Sequence, residues 1–226
     1  HKPFDDIVLD NGLVRAVFDR RSAELKSLVD LASGEETILP GDTAGLRLAM
    51  TESASSNAWM IGRILSEQKL DANVKVKVYR GPLRQGLEVE IPFLKSSARA
   101  SIWLDKGAKA VGYGLNVDWH EFSRGDEPVP MLKFHAPAVF QVDHFLYDVP
   151  AGSLRRPAQH IDVPALQYGA AVGGNRALAL LSDSKYGYRG ADGALALTLI
   201  HAPHHPDPYP ERGIHSIRLA VAVACS

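Results

Sequence analysis

An all-β fold, built as a large antiparallel sandwich, is the fold class that this sequence predicts. Apolar residues alternate with polar ones along many short segments, and no window of a dozen residues has the apolar spacing of an amphipathic helix. Turn-forming residues separate most of these segments at short intervals, which is typical of strands joined by tight connections. The 19 glycines and 14 prolines are spread over the whole chain of 226 residues, which also disfavours long helices.

The clearest alternation lies in the first half of the chain. Residues 74–79 place valines on one side of an extended segment and lysines on the other, and residues 87–91 repeat the pattern with glutamates outward. Gly81-Pro82 supplies a turn between the two segments. Further strands are predicted at residues 13–18, 25–29, 46–50, 98–104, 111–119, 177–181, 195–200 and 214–223.

The connections between predicted strands bear on the domain organisation. Three long excursions are expected at about residues 51–57, 123–130 and 201–213. Pro128-Val129-Pro130 is the best candidate for a boundary, but no change of composition accompanies it, and we therefore expect residues 1–226 to form a single domain. The last predicted strand runs almost to residue 226, which suggests that the chain is a piece of a longer protein.

Charge and hydropathy exclude several classes of function. The 25 basic and 26 acidic residues give a net charge of −1 without a basic stripe, so no nucleic-acid partner is expected. No apolar run approaches the ~20 residues that span a bilayer, and no signal-like segment follows the first residues, so no membrane partner is expected either. The single cysteine, Cys225, cannot form an intrachain disulfide, which fits a reducing compartment and a cytoplasmic location.

Two polar segments are candidates for binding a sugar. Lys185, Tyr186 and Tyr188 follow the predicted strand 177–181, and aromatic rings beside charged groups suit a pyranose. The alternative is a polar turn whose tyrosines fill the edge of the sandwich. Arg155 and Arg156 place two guanidinium groups in a loop, where they suit sugar hydroxyls or carboxylates, although ion pairs between loops are the more frequent use.

Histidines and carboxylates suggest a metal site only weakly. His201, His204, His205 and Asp207 could bind zinc, but their spacing matches no standard zinc pattern and three nearby prolines favour a stiff solvated loop. The pair His160-Ile161-Asp162 has no third ligand in the sequence. We therefore predict neither a metal site nor a bound cofactor in this chain.

No segment predicts a catalytic centre. A glycosidase needs two carboxylates on either side of the scissile bond, and none of the acidic residues stand out as such a pair. Neither a Gly-x-Ser-x-Gly elbow nor a phosphate-binding loop is present. Trp119-His120-Glu121 ends a predicted strand, where we expect the indole in the core or at the rim and Glu121 paired with a nearby base.

Taken in order, a series of segments resembles the C-terminal β region of family-38 glycoside hydrolases, the α-mannosidases. The similar segments are residues 9–19, 25–30, 119–121, 132–134, 148–157, 162–165, 183–188, 206–208 and 212–215. Ser-Lys-Tyr-Gly-Tyr at 184–188 is the most specific of them. The resemblance spans nearly the whole chain and is greater to the bacterial and cytosolic eukaryotic branch than to the Golgi and lysosomal one.

The resemblance implies a galactose-mutarotase-like supersandwich within a metal-dependent, usually zinc-dependent, retaining α-mannosidase. The family's aspartate nucleophile, its acid/base and its metal ligands belong to preceding α/β and helical regions. No catalytic or metal-binding residue is therefore carried over to this chain. The implied partners are an α-mannoside substrate and the upstream catalytic domains of the same chain, and the β domain by itself is expected to be inactive.

The chain departs from the family's pattern at three places. Asp162 replaces the glutamate of a common Glu-Val-Pro-Ala segment, and Ala151 replaces the phenylalanine of Phe-Gly-Ser. His201 stands where the family usually has the arginine of Leu-Arg-Ser-Pro. In Golgi-type relatives this region reaches toward the bound sugar, so the resemblance predicts that His201 lines the mouth of the substrate site.

Two other functions stay open at the level of the sequence. A stand-alone carbohydrate-binding module would need an exposed aromatic platform. A mutarotase-like epimerase would need a histidine and a carboxylate that face each other in a cleft, and no spacing in the sequence requires such a pair.

Overall fold

The computed structural model describes residues 6–53, 56–206 and 211–225. All regular secondary structure in these ranges is β-strand, so the prediction of an all-β antiparallel fold is confirmed. None of these residues belongs to a helix long and apolar enough to cross a membrane. The strands are β1 (Ile7–Asp10), β2 (Val14–Phe18), β3 (Leu25–Asp30), β4 (Glu35–Glu36), β5 (Gly45–Thr51), β6 (Ile64–Lys69), β7 (Lys75–Arg80), β8 (Arg84–Phe93), β9 (Ser96–Asp105), β10 (Ala110–Trp119), β11 (Val129–Pro137), β12 (His144–Val149), β13 (Gly152–Arg156), β14 (Val163–Pro164), β15 (Tyr168–Gly173), β16 (Arg176–Ser182), β17 (Gly187–Ala191), β18 (Ala194–His201) and β19 (Gly213–Cys225).

The described strands form three antiparallel sheets. A small sheet has the order β1-β2-β3-β4, a nine-stranded sheet has the order β13-β12-β15-β16-β19-β10-β9-β8-β7, and a six-stranded sheet has the order β14-β17-β18-β11-β5-β6. Each of the strands predicted from alternation matches one of these elements, and the segments 13–18 and 74–79 begin one residue before β2 and β7. Alternation locates strands well here because the buried and exposed faces of one strand differ in composition.

The core lies between the nine-stranded and six-stranded sheets. Tyr113 on β10 meets Phe134 on β11 edge to face, with ring centroids 5.0 Å apart. Gly190 on β17 lies against the ring of Phe145 on β12, so close that an added Cβ would be 2.3 Å from the ring. Side chains from both sheets therefore interdigitate, as in other sandwiches of two packed sheets.

The position of a strand in its sheet decides how far its alternation becomes burial. On β8, Val89 and Ile91 are buried while Glu88 and Glu90 are exposed. The valines of β7 alternate as regularly, yet Val78 remains 38 % exposed. β7 is one of the two edge strands of the nine-stranded sheet, so its side chains have a neighbouring strand on one side only.

The strand that sequence analysis missed most clearly is β11. It lies between β18 and β5 in the six-stranded sheet, and eight of its nine positions are buried. Pro128-Val129-Pro130, the best candidate for a boundary, leads directly into it. The sequence did not predict this strand because its composition is unusual. It has a proline near each end and contains Lys133 and His135, and all four residues are disfavoured in a buried central strand.

Candidate functional site at the loop end of the six-stranded sheet

Three connections meet at one end of the six-stranded sheet, which we call the loop end. They follow β5, precede β11 and follow β18, and each contains one of the predicted excursions. Asn57, only 1 % exposed, joins two of them, since its Oδ1 accepts the backbone N–H groups of His204 at 3.1 Å and His205 at 2.8 Å. The Ser53 hydroxyl donates to the carbonyl of Gly125 at 3.3 Å and ties in the third.

His204 is a structural link within the loop end. Its Nε2 lies 2.7 Å from the carbonyl oxygen of Gly125, and its Nδ1 lies 3.1 Å from the hydroxyl of Ser123. A carbonyl only accepts hydrogen bonds, so Nε2 carries the proton and Nδ1 accepts from the serine. With both nitrogens engaged, this imidazole holds loops together.

His201 lies at the loop end with a different environment. It is the last residue of β18, just beyond a β-bulge opposite Leu132 and Lys133. Its Nε2 is buried, and no described residue forms a hydrogen bond with it. Burial lowers the pKa of His201, although the carboxylate of Asp162 acts in the opposite direction. The imidazole is therefore neutral at pH 7, and its buried Nε2 is left without a hydrogen-bond partner among the described residues.

Lys185 and Tyr186 belong to the same end, in the connection from β16 to β17. The backbone N–H of Lys185 donates to the hydroxyl of Ser182 at 3.2 Å, and the carbonyl of Tyr186 accepts from the N–H of Ala165 at 2.9 Å. Burial lowers the pKa of Lys185, and Glu211 opposes this shift. The Tyr186 side chain is 57 % exposed. Together with His201, the loop end thus offers an imidazole, an ammonium group and a phenol.

Tyr188, one of the candidates for binding a sugar, fits instead the alternative of a tyrosine that fills the sandwich. Its ring is fully buried and packs against Tyr147 with ring centroids 6.5 Å apart. Its hydroxyl donates to the carbonyl of Gln167 at 3.3 Å. Alternation along β17 turns this ring into the core, so it has no face available to a ligand in this chain.

Arg155 and Arg156 lie on β13, the other edge strand of the nine-stranded sheet, and not in a loop as predicted. Arg155 is exposed and Arg156 is half-buried. No hydrogen bond or ion pair within the described ranges links either residue to His201, Lys185 or Tyr186. The structure therefore does not bring the two arginines together with the other candidates.

The described residues do not fit a zinc site. They contain no group of three or more His, Cys, Asp or Glu side chains that could hold a metal, and Asp207 lies outside the described residues. His160 pairs with Asp192 at 3.6 Å, whereas Asp162 pairs with Arg189 at 2.7 Å.

Glu121 also differs from expectation. Instead of pairing with a base, its carboxylate accepts the N–H of Lys95 and the hydroxyl of Ser96, both at 2.8 Å. Trp119 is fully buried in the core, which is one of the two positions expected for it.

Several buried polar residues escaped sequence analysis. On the outer face of the six-stranded sheet, the carboxylate of Asp162 binds Arg189 and the hydroxyl of Thr198. Lys133, 6 % exposed, pairs with Glu67 on β6. A lysine in the middle of an apolar segment was the available signal, because Lys is almost never buried without a partner.

A family model described as the glycosyl hydrolases family 38 C-terminal domain matches residues 9–209. This chain belongs to that family. The resemblance inferred from the sequence is therefore confirmed.

Curated relatives of the family 38 domain carry α-mannosidase names. Human alpha-mannosidase 2C1 is 28 % identical over 234 residues, which cover 95 % of this chain and 21 % of the relative. Alpha-mannosidase G of Dictyostelium discoideum is 23 % identical over 235 residues, covering 96 % of this chain and 21 % of the relative. The chain thus spans about a fifth of the length of these proteins.

Solved structures show the same fold at low identity. An α-mannosidase from Enterococcus faecalis V583 superposes with a TM-score of 0.76 at 12 % identity, over 97 % of this chain and 29 % of that protein. A galactose mutarotase-like protein from Lactobacillus casei ATCC 334 superposes with a TM-score of 0.58 at 12 % identity, over 97 % of this chain and 100 % of that protein. The expected mutarotase-like supersandwich is therefore confirmed.

Proposed function

We propose that this chain is the C-terminal β domain of a retaining α-mannosidase, where it supports the catalytic part and contributes to the rim of the substrate site. The proposal rests on the family 38 match over residues 9–209. It is supported by the α-mannosidase relatives, in which the matching region makes up about a fifth of the length. In this proposal residues 1–226 are one domain, and the upstream catalytic domains of the same chain are its partner. A cytoplasmic location is part of the proposal and rests on the single cysteine alone.

The chemistry of hydrolysis is assigned to the upstream part. The nucleophile, the acid/base and the expected zinc would all be supplied there, and this domain would hold the α-mannoside from one side. A rim domain needs side chains that can bind hydroxyl groups without themselves reacting. The described residues of the loop end meet that requirement.

His201, Lys185 and Tyr186 are the proposed rim residues. The Nε2 of His201 is buried and has no partner among the described residues, so in this proposal a small shift of the neighbouring loops brings it to a sugar hydroxyl, which a neutral imidazole binds as donor or acceptor. The exposed ring of Tyr186 can cover an apolar sugar face, and Lys185 can donate to further hydroxyls. Arg155 and Arg156 remain candidates for contacts further along the edge of the nine-stranded sheet.

Kinetics of the longer protein test the rim assignment. If His201 bonds a sugar hydroxyl in the transition state, His201→Ala should cost about 1–3 kcal/mol, or roughly 10- to 100-fold in kcat/KM for an aryl α-mannoside. His201→Arg tests whether the residue usual in the family restores the rate. His144→Ala is the matched control, because His144 is also half-buried but begins β12 at the opposite end of the sheets.

An unchanged kcat/KM in His201→Ala would remove His201 from the rim. A rate loss accompanied by a large fall in melting temperature would make its role structural. Loss of rate in His144→Ala to the same degree would show that the effect is not specific to the loop end.

The 226-residue chain by itself provides a second test. We expect it neither to hydrolyse an aryl α-mannoside nor to bind zinc tightly, because the proposal places both functions upstream. Turnover that survives purification and is absent from a scrambled control would contradict the proposal. Stoichiometric zinc in the purified chain would also contradict it and would make four residues the candidate ligands: His201, His204, His205 and Asp207.

A further inference from the structure

A cavity lies on the outer face of the six-stranded sheet and reaches from the start of β18 to the residue before β6. Its volume is about 720 Å³, within the range of ~300–1,000 Å³ typical of small-molecule sites. It is lined by Pro137, Ala191 and Ala194, which mark the ends of β11 and β17 and the start of β18. Ala194 and His201 stand at opposite ends of β18, whereas Arg63, which also lines the cavity, lies beside the loop end, because its carbonyl accepts the N–H of Glu52 at 2.8 Å. We call this cavity the alanine cleft.

The floor of the alanine cleft is made of small side chains. Ala194 and Ala196 alternate along β18 with Leu195 and Leu197, which are turned into the core. A large side chain at either alanine would fill the space. The cleft therefore exists because the side chains on this part of the sheet are short. Its floor offers an apolar surface to a ligand.

The walls of the cleft carry equal numbers of opposite charges. Arg63, Lys133 and Arg189 line it together with Asp42, Glu67 and Asp192, and the two histidines His135 and His160 complete the polar lining. Three cations and three anions leave no net field to attract an anion such as phosphate or a cationic ligand. Dense donors and acceptors over an apolar floor instead match a neutral molecule with many hydroxyl groups.

Much of this lining is held in place before any ligand binds. Lys133 is paired with Glu67, and Arg189, with a side chain 10 % exposed, is paired with Asp162. Arg63 at the rim is exposed and forms no side-chain hydrogen bond or ion pair with any described residue, so its guanidinium is free to bind. Preorganised polar groups lose little conformational entropy on binding.

The geometry favours binding over proton transfer. His135 Nε2 lies 3.6 Å from the Asp42 carboxylate, so these two groups are directed at each other and do not face across an open space. Burial and the nearby Arg47 lower the pKa of His135, with Lys133 acting in the same direction and the two carboxylates opposing. A neutral imidazole of this kind can bond a hydroxyl group as donor or acceptor.

We propose that the alanine cleft is a binding site for a neutral, polyhydroxylated ligand of hexose size. It would hold the hydroxyl groups through Arg63, Lys133, His135 and Glu67 and would place an apolar face on Ala194 and Ala196. The inference goes beyond the proposed function, because it concerns binding on the outer face of the six-stranded sheet and requires no hydrolysis.

The test titrates the 226-residue protein with D-mannose and follows histidine ring signals by NMR. We expect saturable shifts of His135 and weak affinity, and Ala196→Phe should abolish these shifts by filling the cleft. Arg63→Ala should weaken binding about fivefold, the equivalent of one net hydrogen bond of ~1 kcal/mol. Arg99→Ala is the matched control, because Arg99 is also exposed but lies on the nine-stranded sheet.

Each remaining outcome contradicts the inference. Absence of saturable mannose shifts would overturn it, as would unchanged affinity in a folded Ala196→Phe protein. If Ala196→Phe does not fold, the inference would be overturned by equal mannose affinities of Arg63→Ala and the wild-type protein. Stronger saturation by inorganic phosphate or by glycine than by mannose would show a charged ligand instead. None of these readouts depends on mannoside hydrolysis, so failure of the proposed function would leave them intact.

Discussion

Removing Asp162 should be among the most destabilising single substitutions in this chain. Its carboxylate binds Arg189 Nε at 2.7 Å through one oxygen and the Thr198 hydroxyl through the other. The side chains of Arg189 and Asp162 are only 10 % and 9 % exposed. Asp162→Ala leaves a guanidinium buried without its partner, which typically costs about 3–5 kcal/mol. Asp162→Asn keeps the shape and one hydrogen bond and should cost about 1–3 kcal/mol.

Urea denaturation with linear extrapolation measures these changes. The chain contains a matched control in Arg84 and Asp105, the same pair of residue types with contacts of 2.6 and 2.9 Å but side chains 51 % and 39 % exposed. Asp105→Ala should cost less than about 1 kcal/mol, because solvent screens an exposed pair. Similar losses in Asp162→Ala and Asp105→Ala would refute the argument that burial sets the cost.

A double substitution distinguishes the cost of the unpaired charge from the cost of the cavity that Asp162→Ala leaves. Replacing Arg189 by methionine in the Asp162→Ala background removes the unpaired charge and keeps an apolar side chain of similar length. We expect part of the lost stability to return, since the penalty comes mainly from the isolated cation. No recovery would assign the loss to packing.

Three further predictions concern other parts of the fold. Asn57→Ala removes the acceptor of two backbone N–H groups and should cost about 1–3 kcal/mol, with faster hydrogen exchange in the loop after β18 as the direct readout. Burial lowers the pKa values of His135 and His201, so the unfolded chain binds protons more readily. Their contribution is present above pH ~6.5 and is lost as the pH falls below it, and His135→Gln should flatten the fall in melting temperature there. Gly190→Ala should cost about 1–3 kcal/mol by thermal unfolding, because the new methyl group collides with Phe145.

The sequence by itself determined ten of the 19 described strands, the all-β class and the family. Alternation with period two is a local property, so β8, β9, β10 and β19 could be found from residue order alone. The resemblance then supplied the supersandwich, because ordered motifs over most of a chain identify a fold that local patterns cannot. The same local information placed most of the described residues of the three excursions outside strands but could not show that these connections meet.

Only the tertiary structure decided which polar residues lie together. Tyr188 and Tyr186 are two positions apart, yet pairing in β17 buries one while the preceding turn exposes the other. Asn57 and His204 are far apart in sequence and join two loops through side-chain and backbone contacts. The alanine cleft likewise depends on which strands become neighbours of β18. Strand pairing joins residues distant in sequence, and the energies that select one pairing come from burial and hydrogen bonding summed over the whole sandwich.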